Sequence, residues 1–259
     1  MYSKEYLLYK KKLKRKKLFI NVTKILIIVF FIVIWEIFAR NGLTNTFLTS
    51  FPSQIFKTII DLFKNNNLLS HIGTTLYEVI ISFLLSSFIS LVIASIMWWN
   101  ESFRKIIEPY LTVINSLPKV SLGPLVIIWV GANTKSIILM AILITVFTST
   151  INMATSFIAT DENKIILLKS FNANKFQIFN IVLRSNIKSI ISTLKINISL
   201  TLIGVIMGEL LVSKKGLGYL ITYGSQVFNL KLVISSIVIL GIISYLLYLI
   251  IDRLEKRIV

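Results

Sequence analysis

Six stretches of about 20 apolar residues follow one another along the chain, and they limit its fold more than any other feature. At about 1.5 Å per residue, each is long enough to cross a hydrocarbon layer of about 30 Å as an α-helix. We therefore expect an all-α, polytopic membrane protein with six transmembrane helices. The predicted spans are Leu18–Ala39, Ile72–Trp99, Ile106–Val130, Ser136–Ala159, Ile190–Val212 and Leu232–Ile251.

The composition supports a membrane protein and excludes several kinds of site. Of the 259 residues, 55% are hydrophobic and only 15% are charged, which is too little charge to cover a soluble surface. Cysteine is absent and His71 is the sole histidine, so no disulfide framework and no cysteine- or histidine-based metal site is expected. No P-loop, zinc-protease or serine-hydrolase motif occurs. We expect no catalytic residue, no metal and no cofactor, and an energy source that is a gradient or a partner protein.

The basic residues predict the orientation of the spans. With a cytoplasmic N-terminus, 18 Lys and Arg residues fall in inner segments and seven in outer segments. Because Lys and Arg are enriched in cytoplasmic loops, this split predicts that both termini are cytoplasmic. The basic run Lys10–Lys17 is interpreted as an anchor beside anionic lipid headgroups, with nucleic-acid binding as the alternative. Much of the net charge of +17 is then topogenic, and no nucleic-acid partner is expected.

Two segments beside the spans have patterns of their own. The amphipathic stretch Ser53–Phe63 is spaced for a short helix, which either lies on the membrane surface or is an ordinary loop helix. The pair Trp98–Trp99 ends the second span and is interpreted as part of an interfacial aromatic belt.

The third span is interrupted by residues that disturb a helix. Pro118 removes a backbone donor, and Gly123–Pro124 disturbs the helix a second time. Polar side chains surround the first break, which is typical of a helix that faces a bundle interior or a pathway. The alternative is a kinked structural helix whose lysine extends towards the cytoplasmic side. The polar residues are Asn115, Ser116, Lys119 and Ser121.

Two further charges lie within spans, where an ionisable residue indicates a functional site by default. Lys195 lies near the inner end of the fifth span and either acts there or extends to the interface. Glu209 lies near the outer end and is the better functional candidate. We expect it to brace the turn that follows, where Gly216 and Gly218 permit positive φ.

Three pieces of the sequence resemble the permease subunits of bacterial ABC importers, most closely those of the nitrate, sulfonate, taurine and pyrimidine-precursor type. The first is NSLPKVSLGPLVIIWVGANTKS (Asn115–Ser136), which is similar to the third-helix signature. The second is LLKSFNANKFQIFNIVL (Leu167–Leu183), at the position of the cytoplasmic coupling loop. The third is TLKINISLTLIGVIMGELLVSKKGLGYLI (Thr193–Ile221), similar to the last signature. The resemblance covers Ile72 to Ile251.

The resemblance implies a fold, a function and partners. The fold is a type I ABC importer permease-like bundle, multi-pass in the bacterial plasma membrane. The function is a translocation pathway for a small solute: a sulfonate, nitrate, taurine or a pyrimidine precursor. The implied partners are an ABC ATP-binding subunit that hydrolyses ATP, an extracellular substrate-binding protein and a second permease in a homodimer or heterodimer. The implied domains are a basic N-terminus (1–19), a first span with its external connection (20–71) and the permease domain (72–259), whose coupling loop covers about 160–188.

The resemblance also implies site residues. The ATPase-coupling loop comprises Lys169, Ser170, Phe171, Asn172, Ala173, Lys175, Phe176, Gln177 and Phe179. The translocation pathway comprises Asn115, Ser116, Pro118, Lys119 and Asn197, and the external gate comprises Glu209, Gly216 and Gly218. In the loop, Phe176 is expected to fill a groove of the ATPase, with Lys175 and Gln177 beside it. The alternative is that these residues only pack the loop against the bundle.

The sequence departs from the family pattern at several positions. In the loop, Asn172 stands for the usual Gly and Ser185 for the usual Pro, and Ile166–Leu168 replace Glu-Ala-Ala. Asn tolerates the left-handed conformation that a Gly would supply, and we expect Phe171, Ile178, Phe179 and Val182 to pack inward. Glu78 stands where an Arg is common. Two other functions stay open: a secondary transporter or channel, or a non-transporting scaffold or degenerate permease half.

Overall fold

The structure is a computed structural model that describes residues 4–42, 50–65 and 68–258. Within those ranges the chain forms helices and no strand. The helices are α1 (Lys4–Arg40), α2 (Pro52–Asn65), α3 (Leu68–Trp99), α4 (Glu101–Ser116), α5 (Gly123–Val130), α6 (Thr134–Ile158), α7 (Glu162–Ser170), α8 (Lys175–Ser185), α9 (Ile187–Val212), α10 (Leu217–Gln226) and α11 (Leu230–Ile258). A 3₁₀ turn, Lys119–Leu122, lies between α4 and α5.

Five of these helices, α1, α3, α6, α9 and α11, are long and apolar enough to cross a membrane. They coincide with five of the six predicted spans, so the prediction of an all-helical polytopic bundle is confirmed. Helix α1 is longer than its predicted span, because the basic run continues it as one helix of 37 residues. The predictions made for residues 1–3, 43–49, 66–67 and 259 lie outside the described residues.

The predicted third span is bent rather than straight. Helix α4 and the segment Lys119–Val130 meet at an angle of 89°, and the two pieces make the sixth span if they count as one crossing. Pro118 cannot donate to a helix, and Leu117 before it is extended at φ −67° and ψ 147°. Pro124 lies in the first turn of α5, where its missing N–H leaves no bond unmade. The two proline positions therefore produce a corner.

The core of the bundle is formed by α3, α6 and α9, with α6 between the other two. A stripe of small residues on α3, Ser82, Ser86, Ser90 and Ala94, recurs every four residues and is fully buried. Small side chains let helix backbones approach closely, which drives helix association where lipid is as apolar as the side chains. The close packing of α3 against α6 follows from this stripe.

Glycines on α9 allow the second close approach. A Cβ atom on Gly204 would lie 2.5 Å from the Cα atom of Ala141, and one on Gly208 would lie 3.0 Å from the Cα atom of Ile137. Both neighbours belong to α6, so the backbones of α6 and α9 are in direct contact. No larger residue fits at Gly204 unless the two helices separate.

Hydroxyl and amide groups inside the core bond to one another. Asn197 of α9 accepts a hydrogen bond from Ser149 of α6 and donates one of 3.2 Å to Ser87 of α3. Thr145 and Thr201 pair at 3.3 Å one turn away. Because a membrane interior offers no water, these polar groups need partners within the protein. The network therefore ties the three core helices together.

Helix α1 lies at the edge of the bundle and is attached near one end. The Glu36 carboxylate accepts hydrogen bonds from the Ser53 amide at 3.0 Å and the Ser53 hydroxyl at 2.9 Å, so it caps the start of α2. Helix α2 covers the predicted amphipathic stretch, and its buried residues Ile55 and Leu62 pack towards α11. The prediction of a short helix there is confirmed.

Helix α9 runs from one end of the bundle, called the loop end, to the opposite end, called the turn end. The loop end carries α7 and α8 and the last residues of α3. The turn end carries the first residues of α3 and the Gly216 turn, Ser213–Leu217. At the loop end, Lys195 forms ion pairs with Asp252, at 2.7 Å, and with Glu255, which joins α9 to α11. Lys195 is therefore bound to two acidic residues of α11 rather than extended to an interface.

Candidate functional site

The loop between α6 and α9 is built around a left-handed asparagine. Helix α7 ends in a Schellman motif, in which the Asn172 amide bonds to the Lys169 carbonyl at 2.9 Å and the Ala173 amide to the Leu168 carbonyl at 3.0 Å. This motif requires a positive φ at its turning residue, and Asn172 has φ +55°. The expectation that Asn172 takes the conformation of the missing glycine is confirmed.

Helix α8 then begins with a capping box. The Asn174 side chain accepts from the Gln177 amide at 2.9 Å, and the Gln177 side chain accepts from the Asn174 amide at 2.8 Å. Gln177 thus fixes the start of α8 as well as lying on its surface. On the inner side of the helix, Ile178 and Val182 are buried in an apolar cluster with residues of α3, α4 and α6.

Two phenylalanines of the loop face outward. Phe176 has 70% of its surface exposed and Phe171 has 73%. The prediction that Phe171 packs inward is wrong: it is the C-cap of α7, where the chain reverses direction, and its ring lies outside the bundle. Ser170, beside it, donates to the Leu167 carbonyl at 2.7 Å. The loop therefore presents two aromatic rings on a segment whose backbone is fixed at both helix ends.

Trp98 and Trp99, at the end of α3, hold α8 in place. The ring of Phe179 lies 4.9 Å from that of Trp98 and 5.7 Å from that of Trp99, between ring centroids. Lys175 donates a hydrogen bond of 2.5 Å to the Trp99 carbonyl, and its Nζ lies 5.5 Å from the centroid of the Trp99 ring. A cation at the last carbonyls of a helix is favourable because it opposes the helix dipole. The sequence reading of this pair as an interfacial belt missed the contact, because the pattern of one span says nothing about a partner 76 residues away.

A cavity of about 400 Å³ opens beside this contact at the loop end. Its lining combines apolar side chains with the amines of two lysines: Trp98, Ile165, Lys169, Ala173, Lys175 and Ile178. A cavity lined by apolar side chains and two lysines is complementary to a protein segment that carries both apolar and acidic side chains.

The helix break holds three of the five predicted pathway residues together. Lys119 donates to Asn115 Oδ1 at 2.7 Å, to Thr148 Oγ1 at 3.1 Å and to the Ile144 carbonyl at 3.2 Å. A lysine has three N–H groups, so all of them are taken by protein acceptors. Pro118 makes the corner that brings Lys119 to α6. This lysine bonds the broken helix to the core, and within the described residues no carboxylate lies within 4 Å of it.

The other two predicted pathway residues lie elsewhere. Ser116 is exposed and bonds to the Val113 carbonyl of its own helix at 2.7 Å. Asn197 is fully buried in the core network and contacts Ser149, the residue after Thr148 on α6. The Lys119 cluster and the Asn197 network therefore occupy neighbouring faces of the same turn of α6.

At the turn end, Glu209 is buried beneath the Gly216 turn and braces it. Its carboxylate accepts a bond of 2.6 Å from the Thr75 hydroxyl and one of 2.5 Å from the Gly218 amide. Thr75 in turn accepts from the Leu217 amide at 2.9 Å, and His71 Nδ1 accepts from the Gly216 amide at 3.1 Å. These acceptors satisfy the first amides of α10, which its own carbonyls cannot reach. The predicted position of Glu209 against the turn is confirmed.

The two glycines of the turn serve different purposes. Gly216 has φ +112°, in the region that favours glycine, and a Cβ atom there would collide with the Glu209 carboxylate. Gly218 lies within α10, so the prediction that it permits positive φ is wrong. Its requirement is space, because a Cβ atom would lie 2.6 Å from Glu209 Cβ. Both positions admit only glycine while Glu209 lies beneath them.

Comparison with known proteins gives a consistent result. The family described as "Binding-protein-dependent transport system inner membrane component" matches residues 86–259. The formylaminopyrimidine transport permease protein ThiX of Halalkalibacterium halodurans is 29% identical over 225 residues, 86% of this chain and 89% of that protein. The putative aliphatic sulfonates transport permease protein SsuC of Bacillus subtilis is 23% identical over 87% of this chain and 82% of its own length. A structure of the MetNI methionine ABC transporter has a TM-score of 0.64 at 14% identity, covering 75% of this chain and 99% of that one.

Proposed function

The chain belongs to the family of binding-protein-dependent transport system inner membrane components. From this premise we propose a function for each end of the bundle in transport. It is a permease subunit of an ABC importer and forms the translocation pathway for a small solute. ATP hydrolysis resides on a separate ATP-binding subunit. That subunit docks at the loop end, and an extracellular binding protein delivers the solute at the turn end.

The proposal rests on two exposed aromatic side chains, Phe171 and Phe176. They belong to a loop whose backbone is fixed by the end of α7 and the start of α8. An exposed ring on a helix whose opposite side is buried in the core suits transmission of force, because the helix cannot yield without moving the bundle. Phe176 fills a groove of the ATP-binding subunit, and Phe171 adds a second apolar contact. Lys169 lines the neighbouring cavity and attracts an acidic group of the partner.

The loop end faces the cytoplasm in this proposal, with both chain termini on the same side. The support is the distribution of 18 Lys and Arg residues on that side against seven on the other. A second permease, identical or different, completes the pathway. Residues 72–259 act as the permease domain, preceded by the basic segment 1–19 and the first span with its connection, 20–71.

The solute is a small molecule of the pyrimidine-precursor or sulfonate class, as the names of the relatives ThiX and SsuC indicate. The pathway runs beside the break at Pro118 and the core helix α6. Lys119 contributes a positive potential there but no free N–H group, since its three donors are occupied. A solute with its own hydrogen-bond donors can bond to the acceptors of this cluster. Uptake of labelled formylaminopyrimidine, with taurine and an alkanesulfonate as competitors, distinguishes the classes.

The test of ATPase docking is Phe176→Asp, with Phe228→Asp as the matched control. The two rings are similarly exposed, at 70% and 75%, but lie at opposite ends of the bundle. We expect Phe176→Asp to insert normally, to lose most of the co-purifying ATP-binding subunit and to abolish ATP-driven uptake. Phe228→Asp should retain that subunit fully. Retention by both variants would contradict the proposal, and uptake driven by an ion gradient without ATP would identify a secondary transporter instead.

A further inference from the structure

Two carboxylic side chains from different helices are buried together at the turn end. Glu78 of α3 has 0% of its surface exposed and Glu209 of α9 has 1%. Thr75, one helical turn before Glu78 on α3, donates to the Glu209 carboxylate at 2.6 Å, so both carboxyl groups lie at the same contact between α3 and α9. Glu209 has the Thr75 hydroxyl and the Gly218 amide as donors, but both oxygen atoms of Glu78 lack a hydrogen-bond donor among the described residues.

The surroundings do not supply the missing positive charge. Side chains beside Glu78 on neighbouring elements include the Glu209 carboxylate on α9 and the Thr134 hydroxyl at the start of α6, and neither forms a hydrogen bond of normal geometry with it. None of the basic side chains at this end forms an ion pair with either carboxylate within the described residues; they are Arg40, Lys57, Lys64, Lys135, Lys214, Lys215 and Lys231. His71 directs its Nδ1 to the Gly216 amide as an acceptor and so brings no charge.

Two adjacent carboxylates in a buried site repel each other and lose the hydration that stabilises their charge. One positive charge between them removes the repulsion and occupies the oxygen atoms of Glu78. We propose that Glu78 and Glu209 together bind one monovalent cation, a proton or an alkali-metal ion, which holds the Gly216 turn closed over α9. Carboxylate and hydroxyl oxygens are suitable ligands for a hard cation, and a proton bridges two carboxyl oxygens directly.

The site controls the turn because the Glu209 carboxylate belongs both to the proposed cation site and to the hydrogen bonds of the turn. The same group that faces Glu78 also accepts the Gly218 amide, and the turn backbone lies directly against it. Loss of the cation leaves Glu209 repelled by Glu78 and pushes it away from the α10 amides. The bound cation therefore favours the closed turn, and this inference rests on the proposed role of the turn as the outer gate.

The experiment uses the full chain, purified with its ATP-binding subunit. Its thermal unfolding midpoint and its uptake in proteoliposomes are measured from about pH 5 to about pH 10. Each condition is run in choline chloride and in sodium chloride. For a proton site, the protonated fraction falls about tenfold per pH unit above the pH at which half of the sites are occupied, whichever salt is present. For an alkali-metal site, sodium chloride restores the midpoint and uptake at high pH, whereas choline chloride does not.

Two variants identify the residue responsible. Glu78→Gln removes one of the two charges, and Glu78→Lys supplies a permanent cation, so both are expected to abolish the dependence on pH and sodium. Glu108→Gln, an exposed acid of α4, is the control and should keep the wild-type dependence. A wild-type midpoint that is the same at every pH and in both salts would overturn the proposal without the need for any variant. So would full dependence in Glu78→Gln. The unfolding measurement needs no transport, so failure of the importer function and failure of the cation site are distinguishable.

Discussion

Replacing Gly204 by alanine tests the contact between α6 and α9 most directly. The new Cβ atom would lie 2.5 Å from Ala141 Cα and 3.0 Å from Ala141 Cβ. Carbon atoms rest about 3.5–4.0 Å apart, so the two helices must separate by roughly 1 Å. The neighbour is backbone and cannot rotate away, which makes separation of the helices the only response.

The magnitude follows from two opposing effects. Overpacking of a core costs about 1–3 kcal/mol, and the rigid backbone neighbour places Gly204→Ala at the upper end of that range. Alanine is a better helix former than glycine by about 1 kcal/mol, which offsets part of the cost. We expect a net loss of about 2 kcal/mol in the free energy of unfolding. For a chain of this size the unfolding midpoint should fall by about 6 °C.

The assay is thermal unfolding of the purified chain in detergent. The quantity measured at each temperature is the fraction of protein that remains monodisperse. Gly241→Ala in α11 is the matched control, because among the described residues no atom outside the local helix backbone lies within 4 Å of a Cβ there. It should leave the midpoint unchanged or raise it. Adding Ala141→Gly to Gly204→Ala should recover only part of the loss, since the shorter contact is with Ala141 Cα. A Gly204→Ala protein as stable as the control would refute the backbone contact between α6 and α9.

Two further predictions concern the loop end. Lys195→Met removes the ion pairs of Lys195 with Asp252 and Glu255 and leaves Asp252 with Lys256 as its cation. We therefore expect a lower unfolding midpoint, with partial recovery when Glu255→Gln is added; a midpoint equal to wild type would show that the ion pairs of Lys195 contribute nothing. Trp99→Leu removes the ring against which α8 packs, so the ATP-binding subunit should stay bound while ATP hydrolysis no longer drives uptake. Trp129→Leu, an exposed tryptophan of α5, is its control, and equal uptake by the two variants would contradict a role for Trp99 in transmission.

Local sequence signals predicted much of this fold. Apolar length located five spans, and the helical spacing of apolar residues located α2, because both signals depend only on neighbouring residues. The left-handed Asn172 was predicted from the resemblance, because Asn stands where the family has a Gly. The position of Glu209 against the following turn is also a short-range relation, across nine residues from Glu209 to Gly218.

The features that the sequence did not predict depend on distant partners. Lys195 pairs with residues 57 and 60 positions away, and no pattern within its own helix points to them. The prolines predicted a break in the third span, but the bonds of Lys119 to the Ile144 carbonyl and Thr148 of α6 were not predicted. Phe171 was expected to pack inward because its spacing suits an apolar face, but the end of α7 falls one residue before it. Tertiary contacts decided the outcomes at Lys195 and Lys119, whereas the end of a helix decided the outcome at Phe171.

The attachment of α1 near one end has a consequence for membranes of different thickness. Its apolar length from Leu18 to Val33 lies on the outside of the bundle, and the Glu36–Ser53 contact joins it to α2 beyond that stretch. A helix fixed at one end adjusts to a thinner or thicker bilayer by tilting about that point. Tilting of this kind lets α1 meet its own mismatch without displacing its contact with α2.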